Sequence, residues 1–192
     1  MLEGELNRLQ RFFHRVVSNP PGYVKCPGGI MNMHTELSAI VFDDKGVKQW
    51  EGVLARDKVI TANFADALVS AMINSTDADI HSFKYHDSGT GTDAESVTDT
   101  DLLSIASETA RVSGTQVTAT DTASGKSYSS VATVTYTTTS TGLVVSEHGL
   151  FCSTSSTDAR DKIADRTVFA GITIQNGWQI QFTFKITYVP GG

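Results

Sequence analysis

The residues that decide the fold are Val168–Tyr188, VFAGITIQNGWQIQFTFKITY. In the second half Trp178, Ile180, Phe182, Phe184, Ile186 and Tyr188 alternate with Gln179, Gln181, Thr183, Lys185 and Thr187. Successive side chains of a strand point to opposite faces, so this period of two sorts the large apolar groups onto one side. The eleven residues Trp178–Tyr188 would form a strand roughly 35 Å long. Val168, Ala170, Ile172 and Ile174 alternate in the same way, and Gln175-Asn176-Gly177 between the two runs is a turn signal. An apolar face of this size needs a second layer to cover it.

Working outward, strand follows strand. Gly142–Phe151 reads as one, and Ala110–Thr120 and Ser127–Thr139 flank the turn TDTASGKS. His34–Asp43 alternates with apolar residues on both sides (Leu37, Ala39 and Val41 against Ile40 and Phe42), which suggests a strand buried on both faces or one at a sheet junction. Asp43-Asp44-Lys45-Gly46 is a turn, and Val47–Leu54, carrying Trp50, returns as the partner strand. One internal helix is expected, capped by Asn63 or Thr61, with Phe64, Ala67, Leu68, Ala71 and Met72 on its apolar face. Ile80–Tyr85 reads as a short strand. Asp87–Thr100, DSGTGTDAESVTDT, has no aromatic residue and reads as an exposed acidic loop. The fold class expected is mainly β, an antiparallel jelly-roll-like β-sandwich with one internal helix and an N-terminal helical arm.

That arm occupies residues 1–30, and the sandwich domain residues 31–192. Leu2, Leu6, Leu9, Phe13 and Val16 recur at helical spacing, while Arg8, Arg11 and Arg15 fall away from the stripe. Asn19-Pro20-Pro21-Gly22 cannot continue a helix, so an extended linker follows. Such a helix can bury its stripe only on its own domain or on a neighbour.

Thr, Ser and Gly are abundant at the expense of Lys and Glu, a composition that favours strands. A chain of 192 residues can bury roughly 70% of its unfolded surface without a disulfide or metal staple. A net charge of -6 argues against coating nucleic acid. Cys26 and Cys152 are far apart and are expected as free thiols made in a cytoplasm. The start has acidic residues where a signal peptide needs positive charge, and no apolar run reaches the roughly 20 residues a membrane helix requires.

Enzymatic patterns are missing. No G-x-S-x-G elbow is present. His14, His34, His81, His86 and His148 show no zinc-type spacing, and His81 and His86, five apart, would point to opposite faces of a strand. Asp87, Asp93, Asp99 and Asp101 lack the EF-hand pattern. Gly89–Thr92, GTGT, lacks the Lys-Ser/Thr of a phosphate loop. No catalytic residue, metal ligand or cofactor is assigned.

Three stretches carry a resemblance. Phe83–Thr92, FKYHDSGTGT, followed by Asp101-Leu102-Leu103 and Arg111, resembles a pattern of small virion proteins of tailed phages. Ser146–Phe151, SEHGLF, is similar to a T-E-x-G-L-F strand of phage tail-fibre and other virion proteins, and Asp165–Phe169 before the long last strand also matches. Together they cover about the last half of the chain. The resemblance implies a non-enzymatic particle component found in the virion, either a capsid cement or decoration protein, or a tail, neck or fibre part. A host-surface carbohydrate-binding sandwich is the alternative from another class. Cement is favoured by the arm, whose Leu2, Leu6, Leu9, Phe12, Phe13, Val16, Arg8, Arg11 and Arg15 would bind partners. Those partners would be the major capsid protein and copies of this chain in a homo-oligomer, expected to be a trimer, with no nucleic acid and no membrane. Deleting residues 1–29 is expected to leave a folded domain that no longer joins particles; full decoration by the truncated chain would disprove the arm's role.

Overall fold

In the computed structural model the last strand, β10 (Gln179–Pro190), runs through the middle of a sheet. The structure describes residues 24–26, 29–73, 79–106, 110–121, 125–137, 142–158 and 161–190. On one side β10 pairs with β2 (Gly29–Phe42), from Gln179↔Phe42 to Pro190↔Met31. On the other it pairs with β7 (Gly125–Thr135), from Gln179↔Thr135 to Tyr188↔Lys126. Beyond β7 lies β6 (Thr115–Asp121), and β2 is flanked by β3 (Lys48–Arg56) and by the short β1 (Val24–Cys26). A second sheet has the order β5 (Val112–Ser113), β4 (Tyr85–Gly89), β8 (Leu143–Phe151), β9 (Ile163–Ile174). Every pairing between these strands is antiparallel. The chain is therefore mainly β, built on two antiparallel sheets.

The alternation in β10 does what its period requires. Ile180, Phe182, Phe184 and Ile186 are buried, with Trp178 and Tyr188 partly covered at the ends. They pack with Leu37, Ala39, Val41 and Val134 of their own sheet and with Val145, Leu150, Phe169 and Ile174 of the other. One hydrophobic core is thus shared by both sheets. The Asp43–Gly46 turn closes the β2–β3 hairpin, with Asp43 Oδ1 accepting from the backbone N–H of Lys45 and Val47. Gly46 takes the positive φ of 76° that the turn needs.

The helix α1 (Ala62–Ile73) starts at Thr61, whose hydroxyl accepts from the Phe64 N–H; Asn63 is not the cap. Phe64, Ala65 and Ala67 are buried and Leu68 packs on the core. Met72, expected on the apolar face, is 74% exposed, because the last turn of α1 passes beyond the core it covers.

Tertiary structure corrects five other expectations. β2 buries one face only: Thr35, Leu37, Ala39 and Val41 point inward, while Ile40 and Phe42 are half-buried on the outer side. Ile80–Tyr85 is not a strand; Asp79–Ser82 forms a short helix, α2, and β4 starts at Tyr85, where pairing with Phe151 of β8 begins. Asp87–Thr100 is not an exposed loop throughout, since Asp87 and Ser88 are buried in β4, an inner strand of the second sheet. The two strands flanking Gln175-Asn176-Gly177 do not pair with each other, because the turn carries the chain from the second sheet to the first. In β9 the simple alternation fails as well: Ile163–Thr167 are buried on both faces, Ala170 is exposed, and the register with β8 shifts between Val145 and Glu147.

The arm residues 1–23 lie outside the described residues, and β1 pairs with the beginning of β2 through Val24↔Met31 and Cys26↔Gly29. The boundary drawn at residue 30 falls within β2, so truncation after residue 23 is the version of the deletion that spares the sheet. Phe182→Ala is expected to lower the unfolding free energy by about 3–5 kcal/mol in urea titration. A loss below about 1 kcal/mol, the size of an ordinary surface change, would contradict a core placed on this face.

Candidate functional site

The densest arrangement of polar groups lies on the face of the second sheet turned away from the shared core. β8 carries Glu147 and β9 carries Arg166, neighbours across the ladder that pairs Glu147 with Val168 and Gly149 with Arg166. Glu147 Oε2 accepts from Arg166 Nε at 2.9 Å and from the Leu103 N–H at 3.2 Å. Its Oε1 accepts from the N–H groups of Gly91 at 3.0 Å and Ser104 at 2.8 Å. Arg166 spends its other donors on the carbonyls of Asp93 and Ala94 and on Asp99 Oδ2. These partners raise the guanidinium pKa against the opposing cost of burial. Residues 89–106 are thereby laced across the outside of the sheet.

The glycines of this stretch are needed for that approach. A Cβ on Gly91 would sit 2.5 Å from Glu147 Oε1, and one on Gly89 would sit 2.3 Å from the Ser104 carbonyl oxygen. Glu95 completes the lacing, accepting from the Val168 N–H at 2.8 Å and pairing with Lys58 at 2.9 Å. Next to it a second ionic group forms around Arg111, which contacts Asp161 at 2.7 Å and Asp87 and Asp101 at 3.5 Å, and lies 3.6 Å from the Phe151 ring centre. Phe151 packs with Leu102 and Ile163 as a small satellite core. Burial pushes the Asp87 carboxyl up to about 6 in spite of Arg111.

Between the sheets runs a polar row: Ser130 Oγ to His86 Nε2 at 2.8 Å, and His86 Nδ1 to His148 Nε2 at 2.9 Å. Each of these three residues is 0% exposed. Burial pushes His86 down to about 3, and His148 falls well below the usual imidazole range for the same reason. A general acid or base must reach the proton it moves. Both imidazoles lie inside the core, where burial favours their neutral form. Ser88 and Tyr136 form a similar buried pair at 2.8 Å.

Other residues singled out in the sequence are scattered. His34 is exposed and contacts Asp57 at 3.0 Å at the edge of a shallow depression that also holds Glu36, Arg56 and Lys185. His81 is exposed in α2. Cys152 is buried in the core, and Cys26 ends β1. Among the described residues, no group of three or more His, Cys, Asp or Glu side chains could hold a metal ion. Leu2, Leu6, Leu9, Phe12, Phe13, Val16, Arg8, Arg11 and Arg15, together with His14, lie outside the described residues.

Sequence reasoning met Glu147, Arg166, Arg111 and Asp165 only as parts of the resembling stretches and gave them no place in a site. The available signal was the interruption of apolar strands by charge, in SEHGLF and IADRTVF. Asp165 is wholly buried, with Oδ1 accepting from the Thr167 hydroxyl at 2.6 Å and Oδ2 without a hydrogen-bond partner among the described residues. Burial pushes its carboxyl up to about 7. The folded state therefore holds a proton that the unfolded chain releases near pH 4, and this group's contribution to stability declines as pH rises from about 4 to about 7. Asp165→Asn is expected to gain stability relative to wild type across that window and to hold the gain above it, measured by thermal melts from pH 4 to 8. A pH-independent difference would contradict the buried proton. Comparison with protein-family models, curated sequences and solved structures finds no match to this chain.

Proposed function

We propose that this chain is a non-enzymatic structural component of a tailed-phage particle, most simply a capsid cement or decoration subunit. Its two sheets are read as the layers of a jelly-roll-like β-sandwich, with α1 covering one end. Residues 1–23, the part of the arm that precedes β1, act as the docking element, and their apolar stripe and arginines dock on the major capsid protein and on neighbouring copies. Many such arms on one shell add by avidity, so no single arm has to bind tightly.

The observation that carries the reading is the way the motif-like stretches are used. The segments FKYHDSGTGT, DLL, SEHGLF and DRTVF, which carry the resemblance to virion proteins, meet around Glu147, Arg166 and Arg111. There they are consumed in internal bonds: Glu147, His86, His148 and Asp165 are all 0% exposed. A pattern spent on architecture fits a building block whose work is done at its surfaces. The measurement is copy number, by gel densitometry of purified particles of the phage that encodes the chain. Copies on the order of hundreds are expected, because a closed shell repeats each contact many times. A dozen or fewer would move the protein to the tail or neck, and absence from particles would overturn the proposal.

A further inference from the structure

The edges of the two sheets are not alike. β3 is charged by Lys48, Glu51 and Arg56 and its pairing with β2 shifts register twice, both of which discourage a further strand. The outer edge of β9 is partly occupied, by a bridge from Ile60 to Asp165 and by bonds from the Thr61 N–H to Ala164 and from the Val168 N–H to Glu95. β5 has two residues only. β6 differs from all of these. It keeps unbroken register with β7 from Thr115↔Val131 to Asp121↔Gly125 and ends the first sheet. Its residues Thr115–Thr120, TQVTAT, include no charge and no proline, and Thr115–Ala119 are exposed. Among the described residues no other segment makes a backbone hydrogen bond to its outer side.

We infer that β6 is a self-association edge, where two copies of this chain pair antiparallel about a two-fold axis and continue the first sheet from one copy into the other. The occupant is a second copy for two reasons. Each chain carries a net charge of -6, so copies repel in general, and a neutral edge is where they approach at least cost. A charged peptide would find no opposite charge on Thr115–Thr120, whereas an identical strand meets its own N–H and C=O pattern under two-fold symmetry. Pairing along all of Thr115–Asp121 sets Thr118 opposite the same residue of the second copy, and Val117 opposite Ala119. This inference goes beyond the proposed function and holds whether or not the chain resides in a particle. It also places a two-fold contact where a trimer was expected.

The test uses the full chain in sedimentation velocity, with Thr118→Lys and Thr118→Glu as variants at an exposed position. Wild type is expected to form a two-copy species that dissociates on dilution. Either variant alone should be monomeric at concentrations where wild type is dimeric, because like charges then face each other. An equimolar mixture of the two should restore the dimer. Amide hydrogen exchange of wild type gives a reading that needs no variant: protection of residues 115–120 should rise with protein concentration. A wild type that stays monomeric or forms only trimers overturns the inference, as does association indifferent to both variants or a mixture that stays monomeric. Protection that is independent of concentration would mean that the chain covers this edge itself, and would overturn it equally.

Discussion

Glu147 and Arg166 face each other on adjacent strands with almost no solvent, a placement that is costly unless every lone pair and proton is used. Here they nearly all are: the carboxylate takes the guanidinium Nε and three backbone N–H groups, and the guanidinium turns its remaining donors to Asp99 and two carbonyls. Losing one partner of such a buried pair costs about 3–5 kcal/mol, since the other charge is left uncompensated. The pair also organises structure well beyond itself. Three backbone donors and three acceptors of the pair belong to residues 91–104, so this one charge pair does much to fix the path of that segment.

The lacing changes what the second sheet is. An antiparallel sheet commonly keeps one face in the core and one in water. The first sheet does so, with Gln181, Thr183, Lys185 and Thr187 of β10 on its outer side. The second has its inner face in the shared core and its outer face under residues 89–106, so Val145–Phe151 and Ile163–Thr167 are buried throughout. Covered on both faces, it concentrates the buried ionisable groups of the molecule, including Asp87, Asp165 and the two histidines. Polar groups so placed specify one arrangement of neighbours, because any other leaves them unpaired. The His86–His148 row does this between the sheets, and Gly114 fits against it: a Cβ there would come 2.4 Å from Ser130 Oγ and 2.8 Å from His86 Nε2.

This distribution bears on function. His86, His148, Asp87, Glu147 and Asp165 are held inside, whereas His34 and His81 are exposed, and the outer face of the first sheet carries ion pairs such as Arg56–Glu36 and Lys48–Glu51. Exposed pairs of that kind add little to stability and serve mainly to keep the face hydrated. Among the described residues, the outer backbone edge of β6 meets no further strand.

The sequence by itself determined whatever is written in local periodicity. The period of two in Trp178–Tyr188 marked the core face of β10, and Asp43–Gly46 marked the β2–β3 hairpin, because pleat geometry and turn conformation depend on near neighbours alone. Only the tertiary structure decided what depends on partners distant in the chain. DSGTGTDAESVTDT reads as a solvated loop until Glu147 and Arg166, some fifty to eighty residues later, supply the bonds that draw it onto the sheet. The same holds for the turn at Asn176-Gly177, which a pattern identifies as a reversal without saying that it changes sheets. Small polar and glycine residues suit exposed loops and close-packed buried backbone equally well, and which of the two they form is set by the charge that arrives from elsewhere.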